Sequence, residues 1–153
     1  MIFFYKFLTV FFYPLLVVII FLRKILGKED EKRYKEKIFS SSIKSNKNQN
    51  ENLIWFHAAS IGEIQSITNL IREYEPNYEI LITTVTKTAA SLVKETFGSK
   101  RRIHHRFFPI DTPFIMKKFL NEWSPKLIIF VDSEIWPNLL DLIEQRKIKT
   151  IIV

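Results

Sequence analysis

The chain has no cysteine. Disulfide frameworks, thiolate chemistry and Cys-ligated zinc are therefore excluded. Glycine is scarce, with three in 153 residues. Neither a Gly-x-Gly-x-x-Gly dinucleotide fingerprint nor a Walker phosphate loop can be found in it. His57, His104 and His105 have no ligand spacing on a helix, so no metal site is expected. Acids are the minority charge, 16 Asp and Glu against 23 Lys and Arg, for a formal net charge of +7. Apolar residues are plentiful: 47% of the chain is hydrophobic and Phe occurs 14 times. This is a folded chain with a basic surface. A basic balance suits nucleic acid, anionic lipid or a phosphorylated substrate, and composition alone does not choose among them.

Apart from Lys6, the run from Ile2 to Leu22 is apolar. At about 20 residues it is long enough to cross a bilayer. Arg23, Lys24 and Lys28 follow at once, with Lys32, Arg33, Lys35 and Lys37 soon after. A secretory signal would carry its charges before the apolar run. Charges after it place the remainder in the cytoplasm. Lys6 and Pro14 count against a spanning helix and leave a second reading open, a helix lying in the interface plane. On either reading the basic run to Lys37 would lie against anionic headgroups. Residues 40–52 are polar and without periodicity, which predicts a linker.

From Leu53 onward strands and helices alternate. The spacing predicts strands at Leu53–His57, Glu79–Thr84, Arg102–Phe108, Lys126–Val131 and Lys149–Val153. Helices are predicted over Glu63–Tyr74, Thr86–Phe97, Asp111–Trp123 and Pro137–Arg146. Near-continuous apolar strands joined by helices predict a Rossmann-like parallel α/β sheet with helices on both faces. Such sheets bind ligands at the C-terminal ends of their strands. The pattern ends at a strand, so one half of a larger architecture is expected. The expected domains are an anchor helix (1–26), a basic segment and linker (27–52), and the α/β domain (53–153).

Two acidic clusters fall at strand ends. Glu63 follows Ala58-Ala59-Ser60-Ile61-Gly62, small residues that let the backbone come close to a ligand. Ser60 can cap the helix that follows. Glu63 can be a general base on the rim of the sheet, or a first-turn acid favoured by the helix dipole. Asp132 and Glu134 precede Ile135-Trp136-Pro137-Asn138, where Glu134 can act beside Glu63 or merely start a helix. Thr84, Thr86 and Lys87 lie at another strand end, where an anion would suit the helix N-terminus and capping by Thr explains the same residues. A Ser60 hydrolase would need an acid and then a late His, and no His follows His105.

Together these motifs resemble the first half of the lipid A 3-deoxy-D-manno-octulosonic acid (Kdo) transferases. Ala59-Ser60-Ile61-Gly62-Glu63, with His57 just before it, is similar to the family's His-x-Ala-Ser-x-Gly-Glu pattern. Glu134-Ile135-Trp136-Pro137-Asn138 is similar to its Glu-Leu/Ile-Trp-Pro-Asn signature. Thr83-Thr84-Val85-Thr86-Lys87-Thr88 looks like its Thr-rich turn, and Phe108-Pro109-Ile110-Asp111 looks like its Leu-Pro-x-Asp element. The chain departs from the pattern at Asp132, where Glu is frequent, at Ala89, where Gly is common, and at Phe39-Ser40-Ser41, which replaces an apolar-Gly end.

The resemblance implies a two-domain GT-B glycosyltransferase, of which this chain is the N-terminal, acceptor-binding domain. It implies inverting transfer of Kdo from CMP-Kdo to a lipid A precursor, with no metal and no cofactor. It implies Glu63 as the general base and Glu134 beside it. Ser60, Gly62, Thr84, Thr86, Lys87, Trp136 and Asn138 are then the residues expected to hold the acceptor or its phosphates. The expected place is the cytoplasmic face of a bacterial inner membrane, on a single N-terminal anchor. CMP-Kdo would bind the C-terminal domain, absent from this chain, so no transfer is expected from the chain alone. The alternative is a truncated, non-catalytic membrane-bound lipid-binding module or a gene remnant. Nucleic acid is not an expected partner, because the basic residues lack the interleaved aromatics that stack bases.

Overall fold

The computed structural model describes residues 2–39, 52–132 and 135–153. Most of the expected linker, and both Ser133 and Glu134, lie outside the described residues. The chain divides into two compact units that interleave along the sequence.

One unit holds the sheet. Its strands are β1 (Leu53–His57), β2 (Glu79–Thr84), β3 (Ile103–Phe107), β4 (Leu127–Phe130) and β5 (Lys149–Ile152). All pairings are parallel, and the order is β3-β2-β1-β4-β5. The α/β parallel sheet expected from the alternating pattern is present. Helix α4 (Ile61–Tyr74) follows β1, and helix α5 (Lys87–Phe97) follows β2. Ile64, Ile67 and Ile71 of α4, with Ala89, Val93 and Phe97 of α5, bury against Ile54, Phe56, Ile80, Ile82 and Ile129 of the sheet. Removing each such large side chain from water is worth about 1.5–3 kcal/mol. The other face is buried too, at Trp55, His57, Leu81, Thr83, Ile128 and Phe130. Trp55 stacks on Phe108 with ring centroids 6.2 Å apart. Central strands buried on both faces explain why their sequences are apolar runs, not alternating ones. β5, at the edge, is exposed along its whole length.

The other unit gathers helices: α1 (Ile2–Phe11), α2 (Tyr13–Ile25), α3 (Lys35–Ile38), α6 (Pro113–Trp123, its last residue grouped with the sheet) and α7 (Pro137–Arg146). The single anchor helix expected over 1–26 is two helices, bent by 54°. Pro14 is the cause: it has no N–H for the carbonyl four residues earlier, and its ring clashes there. No single helix among the described residues is long and apolar enough to cross a membrane, although the bent pair passes that test of length and composition together. The polar side of α1 is occupied within this unit. Lys6 Nζ stands 2.6 Å from Asp141 Oδ2, the Tyr5 hydroxyl donates to Asp111 at 3.2 Å, and Thr9 Oγ1 accepts from the Asn138 amide at 3.1 Å. Tyr13 donates to the carbonyl of Ile38 and packs edge-on against Phe114.

The basic run differs in part from its expectation. Lys37 is buried and paired with the buried Glu29, which also accepts from Arg23 Nε at 2.7 Å. A buried cation needs such a partner to offset its lost hydration. Lys24 sits over the Tyr34 ring at 4.8 Å. Lys28, Lys32 and Lys35 stay exposed.

Candidate functional site

The strand order makes β1 the turning point of the sheet. β1 is followed by β2 on one side, while β4 lies on its other side. At such a reversal of strand order, the crevice outside the strand ends is where open α/β sheets bind ligands. The ladder runs on past the strands: Ala58 N donates to Thr83 O at 3.0 Å, Val131 N to His57 O at 2.9 Å, and Phe108 N to Thr84 O at 2.9 Å. These bonds hold the four strand ends level. Ser60, Gly62 and Glu63 after β1 therefore share one rim with Thr86 and Lys87 after β2 and with Asp132 after β4.

Beneath that rim is a buried polar cluster. The Trp55 indole N–H donates to Thr83 Oγ1 at 2.8 Å, and Thr83 Oγ1 pairs with His57 Nδ1 at 2.9 Å. The His57 ring lies against Phe108, with centroids 4.2 Å apart. This cluster fixes the end of β1 from which the loop to Glu63 departs. His57 is thus a buried support at the rim.

Glu63 is tightly held. Ser60 is the N-cap of α4, and its Oγ accepts from Glu63 N at 3.4 Å. The Glu63 side chain reaches back: Oε1 accepts from Ser60 Oγ at 2.6 Å, and Oε2 accepts from Ala59 N at 2.7 Å. The spacing Ser-x-x-Glu is a capping box, here extended to the amide before the cap. A carboxylate has about four acceptor sites, so two remain after these bonds. Glu63 is half-buried. The arrangement holds an oriented carboxylate with spare lone pairs at the positive end of a helix.

Gly62 has no backbone reason to be glycine. Its φ is not positive, and a Cβ built there would meet nothing within 4 Å. An alanine would favour the helix by up to about 1 kcal/mol. Open space therefore lies at Gly62, next in sequence to Glu63.

Thr86 caps α5, accepting from Ala89 N at 3.2 Å, and also touches Thr88 Oγ1 at 3.2 Å. Thr84 is buried and bonded to His105 Nε2 at 2.9 Å. Capping, the simpler of the two expectations for this turn, is what Thr86 does. Lys87 is exposed at the first position of α5. Asp132 is exposed, with φ of 67°, a conformation that Asp tolerates better than most residues.

Trp136 and Asn138 belong to the helical unit. Trp136 is the half-buried N-cap of α7. Asn138 is fully buried; its backbone N donates to Asp111 Oδ2 at 2.9 Å, and its side-chain amide donates to the Asp111 carbonyl. Glu134 lies outside the described residues. Asp111 is the residue whose part was not legible in the sequence. Its carboxylate caps α7, 27 residues away, not the helix that it precedes. Burial raises its pKa above the ordinary carboxylate value, while bonds from Asn138, Leu139 and Tyr5 oppose that rise. Among the described residues no three His, Asp or Glu side chains gather to hold a metal.

The sheet thus carries an oriented carboxylate at its turning point. Comparison with known families gives the class: residues 32–153 match the family described as 3-deoxy-D-manno-octulosonic-acid transferase (kdotransferase). The chain belongs to that family. It is 37% identical over 140 residues to the 3-deoxy-D-manno-octulosonic acid transferase of Rickettsia bellii, covering 90% of this chain and 32% of that protein. It is 39% identical over 102 residues to the Haemophilus influenzae protein of the same name, covering 65% and 23%. A probable mitochondrial 3-deoxy-D-manno-octulosonic acid transferase of Arabidopsis thaliana is 34% identical over 139 residues, covering 89% and 30%. The chain thus spans about a third or less of the curated relatives it matches.

Proposed function

We propose that this chain forms the acceptor side of a Kdo transferase, with Glu63 as general base. The sugar hydroxyl of a lipid A precursor would enter the space beside Gly62 and donate its proton to Glu63. Its oxygen would attack the anomeric carbon of Kdo from the face opposite the leaving group. As that bond forms, the bond to the CMP phosphate breaks, and CMP departs with the electron pair. The donor would be held by a C-terminal domain of the GT-B plan, and Glu134 would stand beside the site. Thr86 and Lys87, at the start of α5, are placed for an acceptor phosphate. The observation that carries this reading is the hold on Glu63 by Ser60 Oγ and Ala59 N, which orients the carboxylate at the turning point of the sheet. The experiment is Kdo transfer from CMP-Kdo, with Glu63→Gln as the test variant.

The same bonds favour a second reading, in which Glu63 serves only to cap α4. It predicts that Glu63→Gln, which keeps the cap, leaves transfer intact in a complete enzyme. A non-catalytic lipid-binding module would share that outcome and differ by binding the precursor without turnover.

We also place the chain on the cytoplasmic face of an inner membrane, seated by α1 and α2 in the interface plane. The support is the reversed polarity of α1. Its polar residues Tyr5, Lys6 and Thr9 face α7 and Asp111, while Phe3, Phe4, Phe7 and Phe11 point outward, Phe3 being 82% exposed and Phe11 65%. A helix facing water shows the opposite arrangement. Drawing this helix across a bilayer would strip the partners from Lys6 and Asp141, and unpaired charges are costly in hydrocarbon. Arg23 and Lys28, both exposed, would meet the headgroups.

A further inference from the structure

Helix α7 cannot cap itself. Trp136, at the N-cap, provides no side-chain acceptor, and Pro137, at the first position, has no N–H. The next two amides, of Asn138 and Leu139, would be orphans at a buried helix end. Asp111 accepts both, Asn138 N at Oδ2 and Leu139 N at Oδ1, each at 2.9 Å. A carboxylate as buried as Asp111 needs its acceptor sites filled. Its third donor comes from α1, the Tyr5 hydroxyl at 3.2 Å.

The Asn138 side chain closes the loop. Its amide has two N–H donors; one goes to the Asp111 carbonyl and the other to Thr9 Oγ1 on α1. The Thr9 hydroxyl spends its own proton on the Lys6 carbonyl at 3.0 Å. One turn further along, Lys6 reaches Asp141 of α7. The outward aromatic helix, the 109–112 segment and the first turn of α7 therefore share one hydrogen-bonded ring with Asp111 at its centre.

We propose that Asp111 is a positioning residue, which joins α1 to the first turn of α7 so that the seating of α1 fixes that turn. The value of this link to catalysis rests on the function proposed above. The link itself does not.

Hydrogen exchange of the Asn138 and Leu139 amides tests it on the chain as it stands. Asp111→Ala is expected to speed both by about tenfold, the loss of a helix cap, with Phe56 and Ile82 in the sheet unchanged. Asp111→Asn, which retains one acceptor oxygen, is expected to restore one of the two. Tyr5→Phe removes only the α1 hydroxyl and is expected to speed both amides by about fivefold, one hydrogen bond lost. A cap with no link to α1 would not respond to Tyr5→Phe. Unchanged exchange at Asn138 and Leu139 in Tyr5→Phe, or in Asp111→Ala, would overturn the proposal. If Asp111→Ala also releases Phe56 and Ile82, the fold is lost in that variant, and Asp111→Asn and Tyr5→Phe decide. Failure of Kdo transfer with these amides behaving as stated would sink the proposed function and leave the role of Asp111 standing.

Discussion

Lys6 lies inside a run of apolar residues, and its Nζ stands 2.6 Å from Asp141 Oδ2 on α7. The charge that sits badly in a spanning helix is the contact that ties α1 to its neighbour. With both side chains partly solvated, the pair itself is worth no more than about 1 kcal/mol. What it decides is orientation: with Lys6 inward, the Phe face is outward.

That orientation predicts a division of labour on α1. Phe7→Asp combined with Phe11→Asp is expected to release the chain from vesicles of anionic phospholipid in a sedimentation assay. Lys6→Ala is expected to change vesicle binding by less than about twofold, because Lys6 faces α7 and a single interfacial cation contributes little beside the aromatic face. Vesicle binding lost in Lys6→Ala and kept in the double Phe variant would reverse the assignment of faces.

Gly62 and Gly98 separate a site from a structural need. A methyl group at Gly98 would meet the Lys94 carbonyl oxygen at 2.3 Å, so Gly98→Ala is expected to lower the melting temperature. Gly62→Ala meets nothing and removes a helix-weakening residue. It is expected to raise stability by up to about 1 kcal/mol, and to reduce Kdo transfer in a complete enzyme by filling the space beside Glu63. Equal turnover in Gly62→Ala would mean that no substrate group comes near that space.

Asp111 gives a pH signature. Burial raises its pKa in the fold, so its ionised form is the less favoured one there. Stability from this group is present at low pH and lost as pH rises through the raised value. Tyr5 is the titratable side chain bonded to it. Unfolding of the wild type and of Asp111→Asn, compared across the carboxylate range and just above it, is expected to show the wild type gaining relative to the variant as pH falls. A relative loss on acidification would mean that the bonds from Asn138 and Leu139 outweigh burial.

Much of the fold was legible because its signals are local. The alternation of apolar runs and helical spacing gives all five strands and their helices to within a residue or two. The Ser60-x-x-Glu63 spacing shows both the cap and the acid. What could not be read depends on partners distant in sequence. Asp111 precedes α6 yet caps α7, and only tertiary placement brings it there. Asn138 reads as a polar residue at a site, and its side-chain N–H donors reach Asp111 and Thr9, partners far away in sequence. Lys37 reads as one more surface cation until Glu29 is beside it. Pro14 reads as a disturbance of the apolar run, but the size of the bend that it imposes follows from the whole helix pair.

The most direct test is Kdo transfer by this chain co-expressed with the remaining C-terminal part of a relative such as that of Rickettsia bellii. Labelled CMP-Kdo and a lipid A precursor serve as substrates. Glu63→Gln keeps an acceptor for Ala59 N and a partner for Ser60, so the cap survives while the base is lost. Wild-type transfer, with a fall of roughly 10²-fold or more in kcat for Glu63→Gln at unchanged melting temperature, is the predicted result. Transfer by Glu63→Gln within about twofold of wild type would contradict it.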